Sequence, residues 1–246
     1  MATTSIEWAE RSWNPVTGCS HVSAGCDHCY AEIMAKRLQA MGQPRYANGF
    51  AVTLHEDILT LPLTWKRPTR IFVNSMSDLL HSRVPDAFIV RAVEVMREAS
   101  WHKFQILTKR AGRLRRLSTT LSWPRNVWVG VSIESDRFVG RADALRMVPA
   151  AVRFLSCEPL LFPLPSLDLS GISWVIVGGE SGPGARPMEA AWVRDLIRRC
   201  HEQDVAVFVK QMGTVWAKAH GERSKGGDMA TWDADLRVRE YPAMPT

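Results

Sequence analysis

Six short runs of β-branched, aliphatic and aromatic residues constrain the fold of this chain more than any other feature. They lie at residues 71–73, 104–107, 127–131, 152–155, 174–177 and 205–209. Each is apolar almost throughout rather than alternating, as parallel strands covered on both faces are. Amphipathic segments fall between them. Residues 85–98 place Phe88, Ile89, Ala92, Val93 and Met96 on one face, with Pro85 near the first turn. Residues 190–203 do the same with Val193, Leu196, Ile197 and Cys200, and residues 136–147 predict another helix. An earlier strand is predicted at 14–17 and the first helix at 29–41, with residues 50–63 the least clear unit. Alternation of this kind argues for an α/β fold with a parallel sheet, either a partial or complete (β/α) barrel or an open doubly wound sheet.

One pattern favours the barrel. Polar residues with useful chemistry stand at the C-terminal end of nearly every run: Asn74, Ser75 and Asp78; Thr108 and Lys109; Ser132 and Glu134; Cys157 and Glu158; Glu180 and Ser181; Lys210 and Gln211. In a barrel these ends converge on one mouth. The barrel domain is expected over residues 1–217. Residues 218–246, polar and carrying Gly226, Gly227, Pro242 and Pro245, read as an extension lying on or near it as a surface segment or lid.

At 46% apolar and 23% charged, the chain has the balance of a soluble globular protein. Its apolar runs are too short to span a bilayer, and residues 1–11 lack a basic start followed by an apolar stretch, so a cytoplasmic setting is expected. Closely spaced cysteines are there better read as metal ligands than as disulfides. The net charge of +6 includes the clusters Lys66, Arg67, Arg70 and Lys109, Arg110, Arg113, Arg115, Arg116. Such an excess suits a polyanionic partner or simply an ordinary basic face. Ten tryptophans are many for this length, and most read as core, Trp128 and Trp174 lying inside strand runs.

Cys19, Cys26 and Cys29 stand in the segment Gly18-Cys-Ser-His-Val-Ser-Ala-Gly-Cys-Asp-His-Cys-Tyr30, a C-x6-C-x2-C spacing between a predicted strand and a predicted helix. Three thiolates on a four-iron cluster leave one iron without a protein ligand. Gly18 and Gly25 would let the backbone wrap a bulky inorganic core, and the helix would aim its amide dipoles at it. The alternative is a structural Cys3His zinc site completed by His21 or His28, on a non-catalytic module that binds nucleic acid or protein. Cys200 fits a helix face as a small hydrophobe, while Cys157, beside Glu158, could reach the site.

The strings Ile6-Glu-Trp8, Trp13-Asn-Pro-Val-Thr-Gly-Cys19 and Gly25-Cys-Asp-His-Cys-Tyr-Ala-Glu32 resemble a phage- and prophage-associated family of uncharacterised three-cysteine proteins, itself similar to the radical S-adenosylmethionine enzymes. The likeness continues through Phe72-Val-Asn-Ser-Met-Ser-Asp78, Leu107-Thr-Lys-Arg110, Gly130-Val-Ser-Ile-Glu134, Ser156-Cys-Glu-Pro-Leu160, Val175-Ile-Val-Gly-Gly-Glu-Ser-Gly182, Phe208-Val-Lys-Gln211 and Lys225-Gly-Gly-Asp228, nearly the whole chain. The resemblance implies a partial or complete barrel of the radical-enzyme type, with a 4Fe–4S cluster on Cys19, Cys26 and Cys29 after the first strand. S-adenosylmethionine would sit on the open iron and be cleaved reductively to a 5′-deoxyadenosyl radical. A reductant such as flavodoxin or ferredoxin is an implied partner. The usual spacing in such enzymes is C-x3-C-x2-C, so six residues between the first pair is a departure, and His28 stands where an aromatic residue is usual.

Chemistry suggests the remaining roles. Asn74, Ser75 and Asp78 suit the ammonium of adenosylmethionine, Lys109 its carboxylate, and Ser132 and Glu134 its ribose, with Glu158 and Glu180 left for the adenosyl group or the substrate. Modification or repair of a nucleic acid is the expected reaction, with a small molecule or a protein as other candidate substrates.

Overall fold

The computed structural model describes residue 4, residues 6–222 and residues 225–243; positions 1–3, 5, 223–224 and 244–246, which hold both outer ends of the expected barrel and extension and include Pro245, lie outside the described residues. Nine strands are present among them: β1 (Arg11–Trp13), β2 (Val16–Thr17), β3 (Thr53–Leu54), β4 (Arg70–Val73), β5 (Lys103–Thr108), β6 (Val127–Ser132), β7 (Arg153–Cys157), β8 (Trp174–Gly178) and β9 (Ala206–Gln211). The α-helices are α1 (Tyr30–Ala40), α2 (Asp86–Glu98), α3 (Ala111–Leu117), α4 (Arg141–Arg146), α5 (Ala190–Glu202) and α6 (Thr214–Ala219).

Seven strands form one parallel sheet in the order β1-β4-β5-β6-β7-β8-β9, each new strand added on the same side as the last. That order curls the sheet into a half-barrel, a partial (β/α) barrel whose two edges, β1 and β9, do not pair with each other. The expected strand at 14–17 is corrected: the barrel strand is the segment before it, and Val16–Thr17 turns away to pair antiparallel with Thr53–Leu54. The reason is local, because Pro15 has no N–H to give a sheet ladder. Residues 50–63 contribute only β3 and short 3-10 turns, and the helix expected over 136–147 is a 3-10 turn at Asp136–Phe138 followed, after Gly140, by α4. Among the described residues no helix is long and apolar enough to cross a membrane.

Strand alternation divides the apolar residues into two cores. Ile71, Val73, Phe104, Ile106, Val129, Val131, Val175 and Val177 face the helices, where they meet Phe88, Ile89 and Met96 of α2 and Val193, Leu196 and Cys200 of α5. The opposite parity, Phe72, Trp128, Phe154, Trp174, Ile176 and Phe208, points into the half-barrel, where Trp8 joins it. Trp8 reaches in from the segment before β1 and lies edge-on to Phe72 at 4.6 Å and to Trp174 at 6.1 Å. Gly130 is required within this layer, since a Cβ there would stand 2.5 Å from the Phe154 ring.

The segment after residue 217 is not confined to the surface. Trp232 is 1% exposed and donates from its indole N–H to the Gly226 carbonyl at 3.1 Å. Val209 donates to Val238 O at 2.8 Å and Glu240 to Val207 O at 2.9 Å, so the tail covers the open edge of β9. Trp232→Ala is therefore expected to destabilise the whole protein by about 3–5 kcal/mol in urea unfolding; a shift within the error of the wild-type midpoint would show that the tail is peripheral.

Candidate active site

Along the inner face of the strands, aromatic side chains give way to polar ones at the C-terminal ends. There a cavity of about 380 Å³ opens, floored by Trp8, Phe72 and Leu107. Cys19, Cys26 and Cys29 all line it, as do Asn74, Ser75, Asp78, Lys109, Ser132, Glu158 and Glu180. Of the residues that sequence assigned to the cluster or to adenosylmethionine, Glu134 is the one that does not. Its side chain is fully buried beneath the cysteine loop, where Arg141 donates to its Oε2 at 2.9 Å and its carboxyl group would sit 3.2 Å from a Cβ on Gly25. Cys157 does not reach the cavity either: its parity is that of Leu155, it sits in the helix-facing core, and burial pushes its thiol up. Cys200 is buried in the same core, with its thiol raised by burial to about 12.

The glycines around the cysteines are packed closely against protein. Gly18 has φ of +80° and lies so near the Ala51 carbonyl that a Cβ would stand 2.2 Å from its oxygen, while Gly25 rests on Glu134. Gly178 and Gly179 follow the same logic, backing onto Glu158 and onto the Met212 carbonyl.

Three carboxylates at strand ends are engaged by arginines. Asp78 accepts from Thr108 Oγ1 at 2.9 Å, from the Leu80 and Lys109 amides and from Arg110 at 2.9 Å, so both of its oxygens are committed to protein. Arg110 also donates to the Ser20 carbonyl at 3.1 Å. Glu180, 5% exposed, accepts from His28 at 3.0 Å and from the Arg186 amide and guanidinium at 2.9 Å. Arg186 continues to the Ala24 carbonyl at 2.8 Å and to Asp27 at 3.3 Å. Sequence reasoning missed Arg186, which follows a Gly-Pro-Gly turn and carries no periodic signal. It also left Lys210 without a role; in the structure Lys210 donates to Glu158 at 2.8 Å inside the cavity.

Elsewhere the basic segment is only partly free. Arg110 lines the cavity, but Arg113 and Arg116 both bond Asp86, and Arg113 also bonds the carbonyls of His81 and Val84. Lys109 has no carboxylate partner for its ammonium among the described residues. Asn74 is 3% exposed, adopts φ of +61°, and neither atom of its amide has a hydrogen-bond partner. An amide buried in that state costs about 1–3 kcal/mol, which a bound polar group would relieve.

Three thiols lining one cavity are a donor set that a cluster can take. Among the described residues no three His, Cys, Asp or Glu side chains are close enough together to hold a single metal ion. Of the two histidines considered for zinc, His21 bonds Glu32 through Nε2 and His28 bonds Glu180 through Nδ1, each at 3.0 Å, which leaves the other ring nitrogen of each outside those bonds. A cubane takes its thiolates on separate irons around a body larger than one ion. Burial raises the Cys19 thiol, against the lowering pull of the Arg110 guanidinium.

Burial alone would raise the Glu180 carboxyl, but the hydrogen bonds from Arg186 and His28 together outweigh it and hold the group at about 2. A depressed native value means the pair contributes stability that is present above the unfolded carboxylate range and lost as pH falls toward 2. Glu180→Gln is expected to flatten the decline in urea midpoint between about pH 5 and pH 3; a decline as steep as that of the wild type would refute the assignment.

Four structures match the chain, all of spore photoproduct lyase. A cysteine-to-serine mutant of that enzyme aligns at 16% identity and TM-score 0.49 over 87% of this chain and 60% of that one. A double mutant with bound AdoMet and dinucleoside spore photoproduct aligns at 15% identity and TM-score 0.45 over 76% and 59%. This chain thus spans about three-fifths of the length of those proteins. No curated protein matches it. Across residues 3–242 the sequence matches one family, and the chain belongs to it: the family described as a protein of unknown function, DUF5131.

Proposed function

We propose that this chain is a radical S-adenosylmethionine enzyme, with a 4Fe–4S cluster on Cys19, Cys26 and Cys29, acting on a nucleic acid. One observation carries the reading: three thiols from a single loop line one cavity with the polar strand ends, while Cys157 and Cys200, the only other cysteines, are buried in the helix-facing core. A donor set of three thiols leaves a place for a small ligand. One-electron reduction of the adenosylmethionine sulfonium, yielding a 5′-deoxyadenosyl radical, is the chemistry such a group supplies when bound.

The chain's own residues have separable tasks. The Lys109 ammonium binds the carboxylate of adenosylmethionine as a charge-assisted donor. Asn74 and Ser75 offer their oxygens to its ammonium, and Asp78, whose oxygens are filled by Arg110 and Thr108, acts through them rather than on the ligand. Ser132 and Glu158, the latter held by Lys210, suit ribose hydroxyls. Trp8, Phe72 and Leu107 close the floor against water, which suits a reactive radical. A flavodoxin or ferredoxin would supply the electron. The positive net charge of the chain supports a polyanionic substrate.

Anaerobic reconstitution of the wild type is expected to give brown protein with about four irons and four sulfides per chain, and 5′-deoxyadenosine on reduction with adenosylmethionine. Serine at position 19, 26 or 29 should abolish both, whereas Cys157→Ser and Cys200→Ser should leave iron content unchanged. A colourless protein carrying one zinc would replace this reading with the structural-zinc module. Lys109→Ala should raise the KM for adenosylmethionine about tenfold, the loss of one charged hydrogen bond. Binding to a single-stranded oligonucleotide should weaken steeply with salt; affinity independent of salt would remove nucleic acid as the substrate.

A further inference from the structure

The segment from Cys19 to Cys29 holds itself together poorly. Its regular structure is one 3-10 turn at Ala24–Cys26, and its internal backbone bonds are few, Cys26 N–H to Ser23 O at 2.8 Å and Asp27 N–H to Ala24 O at 3.2 Å. Backbone ties to the barrel occur at its start, where Gly18 donates to Met76 O and Cys19 to Phe50 O. Beyond Cys19, side chains make the connection. Arg110 bridges Asp78 (2.9 Å) to the Ser20 carbonyl and hydroxyl (3.1 and 3.2 Å), and His81 adds a bond to the same hydroxyl at 2.8 Å. Arg186 bridges Glu180 (2.9 Å) to the Ala24 carbonyl (2.8 Å) and Asp27 (3.3 Å), and Glu180 also bonds His28.

From this arrangement we infer that Arg110 and Arg186 are positioning residues that fix the spacing of the three thiols. They pin the six residues between Cys19 and Cys26 at the first, Ser20, and at the last but one, Ala24. In each, one part of a planar guanidinium faces a buried carboxylate of the barrel while another part donates to a carbonyl of the loop. A lysine ammonium is a point donor on a flexible stem and does not reproduce this division. The Glu134 carboxyl beneath Gly25, itself held by Arg141, supports the last residue of the span from below. Thus three carboxylates assigned by sequence to the ligand act on the cysteine loop. The part of the inference that concerns a cluster rests on the proposed function; the part that concerns the loop does not.

The test begins with metal-free protein. Amide hydrogen exchange of residues 20–28 should speed up about tenfold or more in Arg110→Gln and Arg186→Gln, while the amides of β6 and β8 exchange as in the wild type. Arg110→Lys and Arg186→Lys should resemble the glutamine variants, because the bridge and not the charge is required. In iron-loaded protein the same variants should lose iron to a chelator at least about fivefold faster and change the electron paramagnetic resonance spectrum of the reduced cluster. Loop exchange equal to wild type, lysine variants that behave as wild type, or acceleration spread equally over β6 and β8 would each overturn the inference. If the wild type takes up no iron, the proposed function fails, and the exchange measurement still decides whether the arginines hold the loop.

Discussion

The inner aromatic layer is the contact on which the rest of this structure depends. A half-barrel has an open seam, so its inner face would be wet and its strand ends loosely placed without something to fill it. Trp174 fills it from β8, meeting Trp8, Trp128, Phe154 and Phe208 at centroid distances of 5.8 to 6.1 Å. Tyr241 from the tail seals the same ring at 5.5 Å from both Trp174 and Phe208, and Arg70 lies over its face at 4.7 Å. Edge-on aromatic pairs contribute about 0.5–1.5 kcal/mol each beyond area burial, and here they also fix geometry. Both ends of the chain take part, Trp8 before the first strand and Tyr241 after the last helix. The tail belongs to the core that places the site.

Above that layer the chemistry changes because the parity does not. The inward positions run Phe72 to Asn74, Trp128 through Gly130 to Ser132, Phe154 through Ser156 to Glu158, and Phe208 to Lys210. The same rows that close the floor carry the polar groups of the cavity, two or four residues further along each strand. Each carboxylate at that level has its partner at hand, Asp78 with Arg110, Glu134 with Arg141, Glu158 with Lys210 and Glu180 with Arg186. In the most buried of them, Glu134 with Arg141, removing one member would leave a charge without water or counter-charge, which is why such pairs are costly to break even where they add little net stability. Lys109 and Asn74 stand apart from this pairing.

Much of this was legible in the chain because strands buried on both faces must be apolar at every position. That rule located β4 to β9 to within a residue or two, and the helix faces of α2 and α5 with them. It failed at β1, which is three residues long and precedes Asn14-Pro15, and in residues 50–63, where no long apolar run exists. Parity could have placed Cys157, since Leu155 and Cys157 share a face while Ser156 and Glu158 take the other. Glu134 was harder: parity turns it inward, but what lies above it is Gly25, a contact between residues far apart in sequence. The cysteine trio was readable from spacing alone. The arginines that hold it were not, because Arg110 and Arg186 reach it from the loops after β5 and β8.

The long first spacing gives the arrangement its reason. A shorter loop between the first two cysteines has few dihedral angles to fix, and neighbouring strand and helix termini can fix them. Six intervening residues carry more backbone freedom, on the order of 1–2 kcal/mol of conformational entropy for each residue ordered. Main-chain bonds within the loop are too few to offset that, and burial contributes little, because Ser20, His21, Val22 and Ala24 are exposed. The restraint has to come from outside, and a guanidinium that joins a barrel carboxylate to a loop carbonyl supplies it without burying the loop. On this view Asp78, Glu134 and Glu180 stand close to the site because the loop needs anchoring there.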